Sequence, residues 1–75
     1  MAAKDAISLE QLQGLLDYHG GTAFEHASKG GIQITLSQRL GQRWAVDNEH
    51  WIPSVDESHP IVAKVIEESK KEGLL

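Results

Sequence analysis

The segment Gly31–Pro53 alternates apolar and polar residues, and this alternation constrains the fold more than any other feature of the chain. Between positions 32 and 46, most even-numbered residues are large and apolar, whereas the odd-numbered residues are polar or small. Such alternation places one set of side chains on each face of a pleated strand. It predicts a hairpin that turns at Gly41 and a third strand over 49–52. The predicted apolar face carries Ile32, Ile34, Leu36, Trp44 and Val46.

A helix over residues 36–46 is the alternative to this hairpin. Leu36, Leu40 and Trp44 recur at every fourth position, which is also a helical spacing. Thr35 could then cap a helix that begins at Leu36. Gly41 would lie inside that helix, at a cost of about 1 kcal/mol relative to alanine. The hairpin accounts for more of the alternation, and we adopt it as the prediction.

Two short helices are predicted before this segment. Ser8-Leu9-Glu10-Gln11 matches a capping box, and leucines at helical spacing follow it. Gly20-Gly21 is predicted to end this first helix. Thr22-Ala23-Phe24-Glu25 repeats the capping-box pattern and predicts a second helix that ends before Gly30-Gly31. Two helices joined by a glycine-containing turn resemble a helix-turn-helix. Residues 1–6 are small and polar, and we expect them to be disordered.

A C-terminal helix is predicted after a polar loop. Pro60 suits the first turn of a helix, Ser58 or His59 can precede it as the cap, and Gly73 can close it. The predicted fold is a single small α+β domain over 1–75. It has two N-terminal helices, an antiparallel two- to three-stranded ribbon and a C-terminal helix. This winged-helix-like connectivity is similar to that of excisionases and small phage regulators, in element order alone.

Composition argues against several classes of protein. The chain has no cysteine, so neither a disulfide framework nor a thiolate metal site is expected. Its four histidines lack the close spacings of metal ligands, and we predict no metal and no cofactor. No nucleophile elbow or phosphate-binding glycine loop occurs, so no catalytic residues are predicted and the protein is not expected to be an enzyme. No apolar run reaches about 18 residues, and we expect a cytoplasmic protein without membrane contact.

The leading functional hypothesis is a small non-enzymatic regulatory or inhibitory module that acts by protein–protein contact. Trp51 and Ile52 are adjacent in a predicted strand and cannot both face the core, so one of them is expected outside. An exposed tryptophan beside polar groups is typical of a binding hot spot, and the alternative is that Trp51 folds over the end of the ribbon as a lid for the core. We therefore predict a partner-binding site formed by Trp51, His50, Arg39 and Arg43. Formation of a homodimer is also possible at this chain length.

The alternative hypothesis is a winged-helix-like nucleic-acid-binding transcriptional regulator. The chain has a net charge of −4, but residues 29–46 carry three cations and no acid. On the predicted ribbon these cations share a face with amide and hydroxyl groups that could contact phosphates and groove edges. This nucleic-acid-binding set is Lys29, Gln33, Thr35, Arg39 and Arg43. Three cations neutralise few phosphates, which makes this hypothesis the second one.

Overall fold

The computed structural model describes residues 7–75, which form helices and a three-stranded antiparallel sheet. The helices are α1 (Leu9–His19), α2 (Gln38–Trp44) and α3 (Pro60–Lys71). The strands are β1 (Gly21–Glu25), β2 (Ile32–Leu36) and β3 (Glu49–Ile52), and they lie side by side in that order. The predicted small α+β class is confirmed. The disorder expected for residues 1–6 lies outside the described residues.

Local signals set the ends of α1 and α3 as the sequence predicts. The Gln11 N–H donates to Ser8 Oγ at 3.1 Å, and the Ser8 N–H donates to Gln11 Oε1 at 2.9 Å, which completes the capping box. Gly20 ends α1 with φ at 113°, in the left-handed region that glycine adopts without steric penalty. At α3, His59 is the N-cap residue and Pro60 occupies the first turn.

The predicted second helix, and with it the helix-turn-helix, is wrong because this part of the chain forms β1. The strand pairs antiparallel with β2, so that Ala23 lies opposite Ile34 and Phe24 opposite Gln33. This pairing leaves Ala23 only 1% exposed and provides the backbone groups of the segment with hydrogen-bond partners. An isolated helix of this length would have little stability of its own. Gly30 and Gly31 adopt positive φ values of 76° and 73°, so they form the hairpin turn rather than a helix stop.

The predicted hairpin over residues 36–46 is also wrong, and the helical alternative is right for most of this segment. Its N-cap is Ser37 rather than Thr35, because the Leu40 N–H donates to Ser37 Oγ at 3.1 Å. Leu40 and Trp44 are buried in the core from one face of α2, which confirms the predicted core position of Trp44. The strands on either side of this helix, over 32–36 and 49–52, are confirmed.

The element order therefore differs from that of a winged helix. A strand hairpin, not a second helix, follows α1, and α2 lies between β2 and β3 in the chain. The winged-helix-like connectivity predicted from the sequence is not found in residues 7–75. No helix in this described range is long and apolar enough to cross a membrane.

The core lies between the helices and one face of the sheet. Alternate residues of the strands point into it and pack against apolar side chains of the three helices. The buried strand residues are Ala23, Ile32, Ile34, Leu36 and Ile52; the buried helix residues are Leu12, Leu16, Leu40, Trp44, Ile61, Val62 and Val65. The molecule measures 35 × 34 × 18 Å, a thickness that accommodates one layer of sheet and one layer of helices.

Candidate functional site

The face of the sheet opposite the core is open, and we call it the outer face. It consists of Thr22, Phe24, Gln33, Thr35, Glu49 and Trp51, all exposed except the half-buried Gln33. Strand register places Phe24, Gln33 and Trp51 in one row across the three strands. Phe24 is 60% exposed and Trp51 is 39% exposed. Two exposed aromatic side chains thus flank a half-buried amide on the open face of the sheet, and exposed apolar groups placed together in this way are typical of contact surfaces.

The indole of Trp51 is held in one orientation by the β1–β2 turn. Its Nε1–H donates to the Gly30 carbonyl at 2.8 Å, and the Lys29 ammonium lies 4.5 Å from the ring centroid. Gly31 allows this close approach, because a Cβ there would stand 2.5 Å from Cζ2 of the indole and 2.6 Å from the Ile52 carbonyl oxygen. A side chain already fixed in this way loses little conformational entropy when a partner covers it.

The residues predicted for the partner site lie in two places. Trp51 is on the outer face, as expected from the burial of Ile52, whereas its neighbour His50 points to the opposite side of β3. Arg39 and Arg43 are on the exposed side of α2, away from the strand row. The structure therefore brings Trp51 and His50 onto one strand but does not place the arginines on the same surface. Their roles stay predictions.

The predicted nucleic-acid-binding set is divided in the same way. Gln33 and Thr35 lie together on the outer face, and Lys29 borders that face above the indole of Trp51. The arginines belong to α2 because residues 38–44 coil into a helix instead of continuing the strand. Sequence analysis missed Phe24, which was assigned to a helix. No local signal could have placed it on a strand, because the adjacent Ala23 and Phe24 are both apolar and do not alternate with polar residues.

The β3 strand is one edge of the sheet, and no backbone hydrogen bond within residues 7–75 uses its outward groups. The Leu36 N–H donates to the Asn48 carbonyl at 2.6 Å, so these two residues form a hydrogen-bonded pair. Hydrogen-bonded pairs recur at every second residue of an antiparallel ladder, so His50 and Ile52 also form such pairs with β2. The N–H and C=O groups of Glu49 and Trp51 consequently point away from β2. Such an edge can accept a further strand.

A groove of about 280 Å³ lies beside this edge, between β3 and the start of α3, and we call it the β3 groove. Because it touches both Trp51, on the outer face, and His50 and Ile52, on the core face, it lies at the strand edge itself. Its other walls are mainly apolar, from Val46, His59, Pro60 and Ile61. The groove can therefore hold an apolar group next to unoccupied backbone hydrogen-bonding positions.

The chain segment that supplies most walls of the β3 groove is acidic. Residues 47–59 carry four carboxylates and neither lysine nor arginine; the acids are Asp47, Glu49, Asp56 and Glu57. A hydrogen bond of 2.9 Å from the Ser58 N–H to Asp56 Oδ1 holds the pKa of Asp56 below its usual value. This carboxyl is therefore ionised at neutral pH, and the segment 47–59 carries a net negative charge.

His19 and Ser69 form a polar contact between α1 and α3. Nε2 of His19 lies 3.1 Å from Ser69 Oγ, and its ring meets that of Trp44 edge-on with 5.1 Å between centroids. Burial lowers the pKa of His19; the charges of Glu72 and Glu68 oppose this effect and that of Arg43 adds to it. Ser69 is 0% exposed, so this serine cannot meet a substrate, and the pair joins two helices instead of forming a catalytic centre.

Within residues 7–75, no group of three histidine, aspartate or glutamate side chains is placed to hold a metal ion. Comparison of the chain with protein-family models, with curated proteins and with solved structures found no match. Function must therefore be inferred from the geometry of the outer face and of the β3 edge.

Proposed function

We propose that this protein is a small non-enzymatic regulatory or inhibitory module that binds another protein through the outer face of its sheet. The observation that carries the proposal is the row Phe24, Gln33 and Trp51 on that open face. Covering a large apolar side chain contributes about 1.5–3 kcal/mol, and tryptophan is enriched at binding hot spots. The fixed indole of Trp51 and the exposed ring of Phe24 would supply such anchors on either side of the Gln33 amide.

The dimensions of the outer face indicate that the contact extends beyond it. Strands of four or five residues, with a rise of about 3.3 Å per residue and a spacing of about 4.8 Å, form a platform roughly 15 Å on each side. Each partner in a standard interface buries about 800 Å², which is several times the area of this platform. A protein partner would therefore also contact the border of the face, at Lys29 and along the β3 edge.

Single-stranded nucleic acid is the second candidate partner, because exposed aromatic rings on a sheet can stack on unpaired bases. Each stacked base contributes about 1–3 kcal/mol, so Phe24 and Trp51 could bind two bases with modest affinity. Phosphate contacts normally supply a large share of such affinity. Lys29 provides a cation beside the outer face, but Glu49 lies on it and the net charge is −4. These charges favour a protein partner over nucleic acid.

Photo-crosslinking from the outer face tests the proposed function. A photoreactive amino acid replaces Gln33 in one variant and Ala63, an exposed residue of α3, in the control variant. We expect the Gln33 position to crosslink one defined protein in cells, and the Ala63 position not to do so. Trp51→Ala or Phe24→Ser should reduce the crosslinked product at least tenfold, with circular dichroism confirming that each variant folds.

The same experiment separates the two candidate partners. Equal crosslinking from both positions, or a product unchanged by both substitutions, would refute the outer face as a protein-binding surface. The nucleic-acid alternative is tested with fluorescein-labelled oligo(dT) at low salt. Binding that Phe24→Ser abolishes and that weakens steeply with added salt would favour nucleic acid as the partner.

A further inference from the structure

We infer that the partner contributes an extended segment that adds a fourth strand to the β3 edge, with alternating basic and apolar side chains. This inference rests on the proposed function and deepens it by naming the conformation and the chemistry of the partner. In such strand addition, main-chain hydrogen bonds provide affinity and pockets for alternate side chains provide specificity. The β3 edge and the β3 groove offer both elements.

The two edges of the sheet differ in how well they are protected. On the β1 edge, Gln13 Nε2 donates to the Ala23 carbonyl at 2.7 Å, and α1 packs against this strand. On the β3 edge, no backbone hydrogen bond within residues 7–75 reaches Glu49 or Trp51 from outside the β2 ladder. Natural sheets usually protect their edges, so an edge left open beside an apolar groove indicates a place for an added strand.

The alternation of a strand determines which side chains of the added segment meet which surface. Side chains directed to the core side of the sheet would enter the β3 groove, where Val46, Ile52 and Pro60 form apolar walls. At about 280 Å³ the groove lies just below the range typical of small-molecule sites, and it suits a single large apolar side chain. The neighbouring side chains would point to the outer side, beside Glu49 and the indole of Trp51.

The charges around the groove determine the preferred sign of those neighbouring side chains. Asp47 and Glu49 flank the edge, and Asp56 and Glu57 lie in the loop that leads to α3. Lysine or arginine beside Glu49 would meet an opposite charge at the end of the edge away from Lys29, and this complementarity raises association rates and rejects acidic segments. A second copy of the chain would instead bring like charges together at the two β3 edges, which disfavours edge-to-edge dimers.

Synthetic peptides test the inference on the wild-type protein. The probe is an acetylated and amidated heptapeptide in which lysine alternates with valine or leucine, and its control has glutamate at every lysine position. In ¹⁵N-resolved NMR titrations, we expect the lysine peptide to shift the Glu49 and Trp51 amide signals and to bind at least tenfold more tightly than the control. N-methylation of one alternate set of peptide amides should abolish binding, whereas N-methylation of the other set should preserve it.

Two variants of the protein test the edge and the groove separately. Glu49→Pro removes an N–H that points away from β2, and Glu49→Thr removes the same charge but keeps that N–H. Proline should weaken peptide binding at least tenfold relative to threonine. Val46→Phe, which fills part of the groove, should also weaken binding at least tenfold without loss of the folded NMR spectrum.

The outcomes distinguish this inference from the proposed function. Equal binding of the lysine and glutamate peptides, no shift at Glu49 and Trp51, or equal effects of both N-methylation patterns would overturn the added basic strand. A dimer in sedimentation velocity that Glu49→Pro dissociates and Glu49→Thr does not would overturn it as well. If Phe24→Ser still reduces crosslinking in those cases, the outer-face function stands alone. If the lysine peptide binds the edge while Trp51→Ala and Phe24→Ser both leave crosslinking unchanged, the edge inference stands and the outer face is excluded.

Discussion

Replacement of Gly41 by alanine should destabilise the protein, although it removes a glycine from the middle of a helix. In an unobstructed helix this change stabilises by about 1 kcal/mol. At Gly41, however, a Cβ would stand 2.7 Å from Asn48 Nδ2 and 3.1 Å from the Val46 carbonyl oxygen. The Asn48 amide is not free to move, because it donates to the carbonyls of Leu36 at 3.2 Å and Ser37 at 2.9 Å. Gly41 thus makes room for a side chain that ties the end of β2 to the start of α2.

The size of the effect follows from what must move. Displacing the Asn48 amide removes two hydrogen bonds that contribute about 1 kcal/mol each. Crowding against the Val46 carbonyl, which belongs to the backbone, adds about 1 kcal/mol or more. After subtraction of the gain of about 1 kcal/mol in helix propensity, we expect Gly41→Ala to lower the free energy of unfolding by about 2 kcal/mol.

Gly14 provides a matched control for this substitution. It also lies inside a helix, but it is exposed and no atom outside its own helix backbone lies within 4 Å of a Cβ at this position. Gly14→Ala should therefore raise the free energy of unfolding by about 0.5–1 kcal/mol. Urea denaturation followed by circular dichroism measures both variants on the same scale.

A double-mutant cycle shows whether Asn48 is the cause. In the Asn48→Ala background, Gly41→Ala should lose most of its destabilising effect, because the nearest clash and the two hydrogen bonds are already absent. If Gly41→Ala stabilises as much as Gly14→Ala, or if it is equally costly with and without the Asn48 side chain, the role assigned to Gly41 is refuted.

Two further predictions concern His19 and the turn below Trp51. Burial lowers the pKa of His19 from 6.5, so the folded state binds a proton less readily than the unfolded state. The contribution of His19 to the free energy of unfolding should be fully present above pH 6.5 and should fall as the pH drops from there towards the folded-state pKa. His19→Gln should remove this part of the pH dependence of the urea midpoint. A pH profile that this substitution leaves unchanged would contradict the prediction. Gly31→Ala should destabilise by about 2 kcal/mol or more and shift tryptophan emission, because its Cβ would meet the indole of Trp51 at 2.5 Å and residue 31 has a positive φ. Gly30 also has a positive φ, but a Cβ there would have no neighbour within 4 Å, so Gly30→Ala should lower the free energy of unfolding by only about 1 kcal/mol. Equal effects of the two substitutions would show that the position of the indole does not depend on Gly31.

Several elements could be predicted from the sequence because their signals act over a few residues. The capping box at Ser8 begins α1, Pro60 begins α3, and the alternation from Ile32 to Leu36 forms β2. The sequence also required Trp51 and its neighbour Ile52 to point to opposite faces of a strand, although only the structure decided that Ile52 is the buried one. None of these features depends on which distant part of the chain packs against them.

The conformations of residues 21–28 and 36–46 were decided only by the tertiary structure, because their local signals do not determine which element forms. Thr22–Glu25 matches a capping box, and only its pairing with β2 makes this segment a strand. Leu36–Trp44 alternates and also repeats every fourth residue, and burial of Leu40 and Trp44 against the other helices and the sheet selects the helix. Short segments differ little in intrinsic preference between these states, so the larger free energy of packing determines which one forms. That choice placed Phe24 on the outer face and moved Arg39 and Arg43 away from it.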